Sequence, residues 1–211
     1  MRYLHHFWLC PFSRKVRVIL GEKKLEFELV FEKFRERREG FLKLNPAGQV
    51  PTLIEGKNTV LSDSVSIAEF LEEVYPEPKL IGINPEYKAE ARRLISWFDL
   101  KFFEEVTNPI LKEKVFKRFM VMGEPETALI RAAKKNLRYH LEYISWLVER
   151  RNWLVGDEFS VADISAASHI SCLDYLDDIP WDEYQVTKTW YARVKSRPSF
   201  RPLLNDKILG L

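Results

Sequence analysis

The sequence contains only two cysteines among 211 residues, and they lie far apart, at Cys10 and Cys172. Small disulfide-stapled secreted domains need several closely spaced cysteines, so that class is excluded and two free thiols in a reducing compartment are expected. No apolar run approaches membrane-spanning length. The N-terminal stretch MRYLHHFWL is too short and too rich in histidine for a secretory signal. We therefore expect a cytoplasmic protein with no membrane span.

An excess of charge of either sign is also missing. The chain has 33 Lys and Arg against 31 Asp and Glu, a net charge of +2. The two signs are mixed along the chain, which is typical of a solvated surface and indicates no nucleic-acid partner. His5 and His6 are adjacent in an expected strand, so they point to opposite faces and cannot share an ion. We expect no metal site.

The first 76 residues alternate between strand and helix patterns. Residues 3–9 read as a strand, and a helix follows with Cys10 at the N-cap and Pro11 at the first helical position, where the missing N–H costs nothing. Residues 25–31 alternate apolar and acidic side chains, which predicts a strand with one buried face. A strand, a helix and a second strand in this order predict a right-handed crossover and a parallel pair.

A hairpin and a further helix complete this unit. A short basic helix or loop precedes residues 51–54 and 59–62, which predict the hairpin, and the helix after it stops before Pro76. The predicted order is β-α-β-α-β-β-α over residues 1–76. Residues 77–86 are rich in proline and form the expected linker.

Residues 87–211 carry helical patterns throughout and predict an all-helical domain. An apolar stripe around Trp97 to Phe103 marks the first long helix, which Pro109 should kink or end. A second long helix is expected from about Pro125 to Arg150. In GDEFSVADI, Ser160 and Asp163 have the spacing of a capping box, a folding signal with no catalytic role.

Three local features are candidates for chemistry. Cys10 is either a reactive thiol or a small buried residue. In NPAGQVP, Val50–Pro51 is either an ordinary trans bond at the start of an edge strand or a cis bond that turns the Val50 backbone outward to grip a peptide-like ligand. In LSDSVSIAEFL, Asp63 and Ser64 at a helix start suit an α-amino-acid head group, whereas a plain serine N-cap is the alternative.

In this order, CPFSRKV, NPAGQVP, SDS, GDEFSVADI and TWYARVKSRPSF resemble the glutathione S-transferase superfamily over essentially the whole chain. The resemblance implies a thioredoxin-like N-terminal domain, an all-helical C-terminal domain and glutathione as co-substrate, with no other cofactor. It also implies that Val50 and Pro51 hold the cysteinyl backbone, that Asp63 and Ser64 hold the γ-glutamyl head, and that Cys10 faces the sulfur.

The Cys-Pro-Phe pattern is similar to that of the omega-like and beta-like classes, in which a cysteine favours mixed-disulfide chemistry over conjugation. A helix N-terminus with Arg14 and Lys15 nearby predicts a lowered thiol pKa for Cys10. Ser13 occupies the position of the second cysteine of a CxxC pair, so only monothiol chemistry is expected. Cys172 is expected in the core.

The helical half has a second resemblance, carried by stretches such as SWFDLKFFEEVTNPILKEKVFKRF and HISCLDYLDDIPW. These resemble bacterial glutathione S-transferase-like division proteins that bind the tubulin homologue FtsZ and are not thought to conjugate glutathione. Members of that group have a longer C-terminal tail implicated in partner binding. This sequence stops at Leu211, soon after RPLL, so the contact is expected on another surface, such as residues 35–38.

Two functions follow. One is a transferase that binds glutathione for conjugation or monothiol disulfide exchange, and the other is a non-catalytic adaptor for FtsZ filaments. The family resemblance also implies a homodimer. Its expected contact sets acidic side chains of one subunit against arginines of the other, namely Glu69, Glu72 and Glu73 against Arg92 and Arg93.

Overall fold

The structure is a computed structural model that describes residues 1–207. The chain divides into two compact units, one formed by Met1–Leu80 together with the C-terminal segment from Ser196, and one formed by Ile81–Lys195. The sequence predicted domains at 1–76 and 87–211. The structure differs from this division at the C-terminus, because residues 196–207 pack with the first unit.

A four-stranded mixed sheet organises the first unit. Its strands are β1 (Arg2–His6), β2 (Glu28–Phe31), β3 (Thr52–Glu55) and β4 (Thr59–Ser62), in the spatial order β2-β1-β3-β4. β1 and β2 are parallel, and the other two pairs are antiparallel. The helices are α1 (Pro11–Glu22), α2 (Glu39–Leu44) and α3 (Ser64–Val74). The predicted β-α-β-α-β-β-α order is confirmed.

The buried face predicted for residues 25–31 is wrong. β2 is an edge strand of four residues, and the side chains of Leu29 and Phe31 are exposed. The alternation of apolar and acidic residues correctly indicated a strand. It could not indicate whether another layer covers the apolar side.

α1 is buried on nearly every side, although its sequence has only one apolar face. Ser13 to Leu20 are all buried, including Arg14, Lys15 and Arg17. The C-terminal segment covers the polar side, and its backbone comes close at Gly21, where an added Cβ would lie 3.0 Å from Ser199 Cβ. Arginines can be buried there because Asp206 of the same segment supplies a carboxylate.

The second unit is built from four main helices. α4 covers residues 85–119, and its middle, Trp97–Thr107, has the wider turns of a π-helix. α5 is Thr127–Val148, α6 is Val161–Tyr175 and α7 is Gln185–Lys195, while the short α8, Arg201–Leu204, belongs to the C-terminal segment. Pro109 does not end α4, since residues on both sides of it keep helical dihedral angles. The π-helical turns directly before it already depart from the hydrogen bonding that a proline would break.

Asp163 is the buried anchor of this unit. Its carboxylate accepts hydrogen bonds from the backbone N–H groups of Leu154 and Ser160, at 3.0 and 3.1 Å, and from the indole N–H of Trp190 at 2.9 Å. Ser160 and Asp163 form the capping box predicted from GDEFSVADI. No helix within residues 1–207 is long and apolar enough to cross a membrane.

Candidate functional site

The sheet register brings the predicted site residues to one edge. His5 of β1 pairs with Thr52 of β3, and Thr52 in turn pairs with Ser62 of β4. β1 therefore ends, β3 begins and β4 ends at the same edge of the sheet. The residues that follow or precede these points in the chain are Cys10, Val50, Pro51, Asp63 and Ser64.

Cys10 and Val50 are in direct contact at this edge. Cys10 is the N-cap of α1, and its thiol donates a hydrogen bond to the backbone carbonyl of Val50 across 3.6 Å. The Val50–Pro51 bond is cis, as in the second of the two alternatives, and the Val50 carbonyl faces Cys10. A thiol that donates in this way must keep its proton, so the contact favours the neutral form.

The lowered pKa predicted for Cys10 is wrong. Burial raises the pKa of the thiol above its ordinary value, and hydrogen bonds from Ser13 and the backbone of Phe12 oppose this only in part. The Arg14 guanidinium also favours the thiolate, but more weakly. Arg14 is directed elsewhere, since its Nε donates to the Trp8 carbonyl at 2.7 Å and its Nη2 lies 3.5 Å from Asp206.

The side chains of Ser13 and Trp8 make contacts that hold the local structure. The buried Ser13 hydroxyl accepts a 3.4 Å hydrogen bond from the Phe7 N–H. Trp8 stacks on Phe31 with ring centroids 6.2 Å apart and receives the Arg17 guanidinium at 5.4 Å. Trp8 therefore packs toward the edge strand β2.

Asp63 caps α3. One carboxylate oxygen accepts hydrogen bonds from the N–H groups of Val65 and Ser66, at 2.8 and 3.0 Å. The cap is therefore Asp63, and the alternative of a serine cap at this helix start is wrong. Its φ of 72° lies in the left-handed region, which aspartate adopts more readily than most residues. Ser64 follows as a buried first helical residue.

A basic turn lies at the same edge, and the sequence predicted its arginines but not the residue that anchors them. We use this name for residues 33–38, which follow β2 where Phe31 pairs with His6. The buried carboxylate of Glu32 anchors the turn, since Arg38 Nη2 lies 2.7 Å from it and His5 Nδ1 lies 3.4 Å from it. An acidic residue before a run of arginines was the available signal for this anchor.

Two of the residues expected at the contact between subunits pair with residues of the same chain. Glu72 pairs with the buried ammonium of Lys23 at 2.7 Å, and Arg93 forms two hydrogen bonds to Glu90 at 2.7 and 2.9 Å. These two residues are thus committed to intrachain partners. The homodimer itself stays a prediction. Within residues 1–207, no three His, Cys, Asp or Glu side chains are grouped to hold a metal ion.

We expect the Cys10 thiol to react slowly with alkylating agents. At pH 7.4, its alkylation by iodoacetamide should be several-fold slower in the native protein than in concentrated urea, because burial and the Val50 contact hold the proton. Peptide mass spectrometry separates Cys10 from Cys172. An inflection of the native rate below about pH 8 would contradict this assignment, because it would place the thiol below its ordinary pKa.

Comparison with known proteins agrees with this architecture. The family description "Glutathione S-transferase, N-terminal domain" matches residues 4–79, and "Glutathione S-transferase, C-terminal domain" matches residues 109–198. The FtsZ-localized protein A of Caulobacter vibrioides is 47% identical over 100% of this chain and 93% of its own length. A solved structure of FzlA from C. crescentus covers 100% of this chain and 94% of that chain, with 47% identity and a TM-score of 0.97.

A crystal structure of a glutathione S-transferase from Rhodospirillum rubrum F11 is similar to the same degree. It is 51% identical, covers 100% of this chain and 95% of that chain, and has a TM-score of 0.98. The likeness therefore extends over both units and includes the sheet edge described above. With both family domains matched and relatives of this identity over its whole length, the chain belongs to the glutathione S-transferase family.

Proposed function

We propose that this protein is an adaptor with the glutathione S-transferase fold that binds FtsZ filaments, in place of a thiol-dependent transferase. The observation that carries the proposal is the 47% identity to FtsZ-localized protein A over the whole chain. The state of Cys10 supports it, since the thiol donates to Val50 and has a raised pKa, both of which disfavour a nucleophilic thiolate. A cytoplasmic location, expected from the free thiols, is part of this proposal.

The basic turn is the surface we assign to the contact. Arg35, Arg37 and Arg38 are exposed there. Phe31 beside them is 45% exposed, and the Arg35 guanidinium lies 5.5 Å from the ring centre of Phe34. Exposed arginines next to aromatic rings are common at protein interfaces, where they combine charge with apolar contact area. The partner surface should be acidic with an apolar centre.

Glu32 would act here as a positioning residue. It is buried and pairs with Arg38, so it fixes the start of the basic turn against the sheet. Arg37 adopts a left-handed conformation with φ of 49°, which turns the chain sharply after the short helical turn at Phe34–Glu36. The arginines are therefore presented by a turn with a defined backbone.

Removing two of these charges should weaken FtsZ binding. For the R35Q/R37Q double variant, we expect affinity for FtsZ filaments to fall roughly tenfold or more, and the remaining binding to depend less on salt. Co-sedimentation with polymerised FtsZ at two ionic strengths measures both effects. The matched control is K24Q/K57Q, since Lys24 follows α1 and Lys57 lies in the β3–β4 turn, both at the opposite edge of the sheet.

Glutathione binding is the second candidate, favoured by the shared edge position of Cys10, Val50, Asp63 and Ser64. Calorimetric titration with glutathione beside the FtsZ assay separates the two. Heat of binding at millimolar glutathione, with wild-type protein that fails to sediment with FtsZ, would overturn the adaptor proposal. FtsZ binding that is equal in R35Q/R37Q and wild type would move the contact away from the basic turn.

A further inference from the structure

Four consecutive apolar side chains stand exposed where α4 ends. We call residues 119–122 the apolar tip. Their exposed fractions are 43% for Phe119, 45% for Met120, 90% for Val121 and 56% for Met122. Single exposed apolar residues are ordinary on protein surfaces, but a contiguous run of four marks an interaction site.

Hydrogen bonds and ion pairs hold the chain on both sides of the apolar tip. Buried Glu113 accepts a 2.8 Å hydrogen bond from the Glu126 N–H and pairs with Lys117 at 2.7 Å, and Lys117 also pairs with Glu126 at 3.0 Å. These contacts join the last turns of α4 to the start of α5. Val121, with a φ of 51°, and Gly123, with a φ of 85°, make the turn between them. The four exposed apolar side chains are therefore held in the turn between α4 and α5.

The surroundings of the tip are basic. Residues 112–135 contain seven Lys and Arg against three Glu, a net charge of +4, whereas the whole chain is +2 and the remainder is therefore −2. Glu113, one of the three, is buried. Within residues 1–207, no ion pair is formed by the exposed side chains of Lys112, Arg118, Arg131 and Lys135. The segment that carries the apolar tip is thus net positive, although Lys114 and Lys134 share the buried carboxylate of Asp178.

We propose that the apolar tip inserts into the interface of an anionic lipid bilayer. Apolar side chains gain free energy at the boundary of headgroups and acyl chains, and neighbouring Lys and Arg side chains are attracted to the anionic lipid surface. Four exposed apolar side chains on a net positive segment match both requirements. Attachment of this kind is peripheral and reversible, and it needs no membrane-spanning helix.

Vesicle co-sedimentation of the full-length protein tests the proposal. We expect sedimentation with vesicles of phosphatidylglycerol and phosphatidylcholine, little with phosphatidylcholine alone, and release by 0.5 M salt. The V121E/M122E variant should lose at least tenfold in partition to the anionic vesicles. Both positions are exposed, so its folding should be unaffected. The matched control is I83E/L100E, which changes two exposed apolar residues elsewhere in the second unit.

Three outcomes would overturn the proposal. These are no sedimentation with anionic vesicles, equal sedimentation of V121E/M122E and wild type, and equal loss in I83E/L100E. Self-association that V121E/M122E abolishes, with no vesicle binding, would assign the tip to a second copy of the chain. V121E/M122E should still co-sediment with FtsZ, because the basic turn is intact in that variant. Failure of the lipid proposal can therefore be distinguished from failure of the proposed function.

Discussion

Lowering the pH from 7.5 to 5 is expected to reduce the free energy of unfolding by about 2 kcal/mol through His6 alone. His6 lies at the end of β1 with its side chain fully buried. Burial lowers its pKa to about 3, and the nearby charges of Arg17 and Arg14 act in the same direction. No described residue is hydrogen-bonded to either ring nitrogen.

The sign follows from where the proton binds. An unfolded histidine has a pKa near 6.5, so between about pH 6.5 and 3 the unfolded chain binds a proton that the native His6 does not accept. Stability is therefore fully present above pH 6.5 and is lost progressively as the pH falls toward 3. His140 contributes in the same direction, because burial also lowers its pKa, although a hydrogen bond to Glu105 opposes this.

Urea unfolding between pH 7.5 and 5 measures the effect, with His6→Leu as the diagnostic variant. Because the ring nitrogens make no hydrogen bond, an apolar side chain of similar volume should cost less than about 1.5 kcal/mol at pH 7.5. The loss between pH 7.5 and 5 should then shrink by about 2 kcal/mol. His140→Gln serves as the control and should keep the His6 contribution. An unchanged pH slope in His6→Leu would refute the assignment.

Replacing Asp206 by alanine should destabilise the protein by about 3 kcal/mol or more. Asp206 lies near the end of the chain and forms two hydrogen bonds with Arg17, at 2.7 and 2.9 Å, while Arg14 lies 3.5 Å away. All three side chains are buried. The variant leaves Arg17 without its carboxylate inside the protein, and an uncompensated buried charge is the costly outcome.

The neighbouring Asn205→Ala change is the control, because Asn205 is exposed and should change stability by less than about 0.5 kcal/mol. A double variant, R17M/D206L, separates loss of the ion pair from loss of packing. Removing both charges should restore most of the stability that Asp206→Ala loses, since a buried pair can be replaced by apolar side chains at little cost. If Asp206→Ala were as stable as Asn205→Ala, the C-terminal segment would not hold α1 through this pair.

The sequence was most informative where structure depends on neighbouring residues. Spacings of a few residues predicted three features: the cap of α6 at Ser160 and Asp163, the β3–β4 hairpin, and the parallel pairing of β1 with β2. The helix end predicted at Pro109 does not occur, because the π-helical turns before it relieve the expected break. That relief depends on how the helix packs, which local spacing does not reveal.

The site illustrates the same limit. Cys10 was placed correctly at the N-terminus of α1, and its position in a transferase-like site followed from family motifs. Its protonation was predicted with the wrong sign, because the helix terminus and nearby cations are visible in sequence and the burial of the thiol is not. The carbonyl that accepts its proton belongs to Val50, 40 residues away.

The sequence by itself therefore determined the order of the strands and helices, the helix starts at Cys10–Pro11 and at Ser160–Asp163, and membership of a family. Those properties depend on hydrogen bonding and side-chain periodicity over a few residues, and on motifs that can be compared directly. Tertiary structure alone decided that α1 would bury its arginines, because their carboxylate comes from a residue 189 positions further along the chain. Contacts at such separation depend on the packing of the whole unit, which also set Cys10 as a protonated thiol.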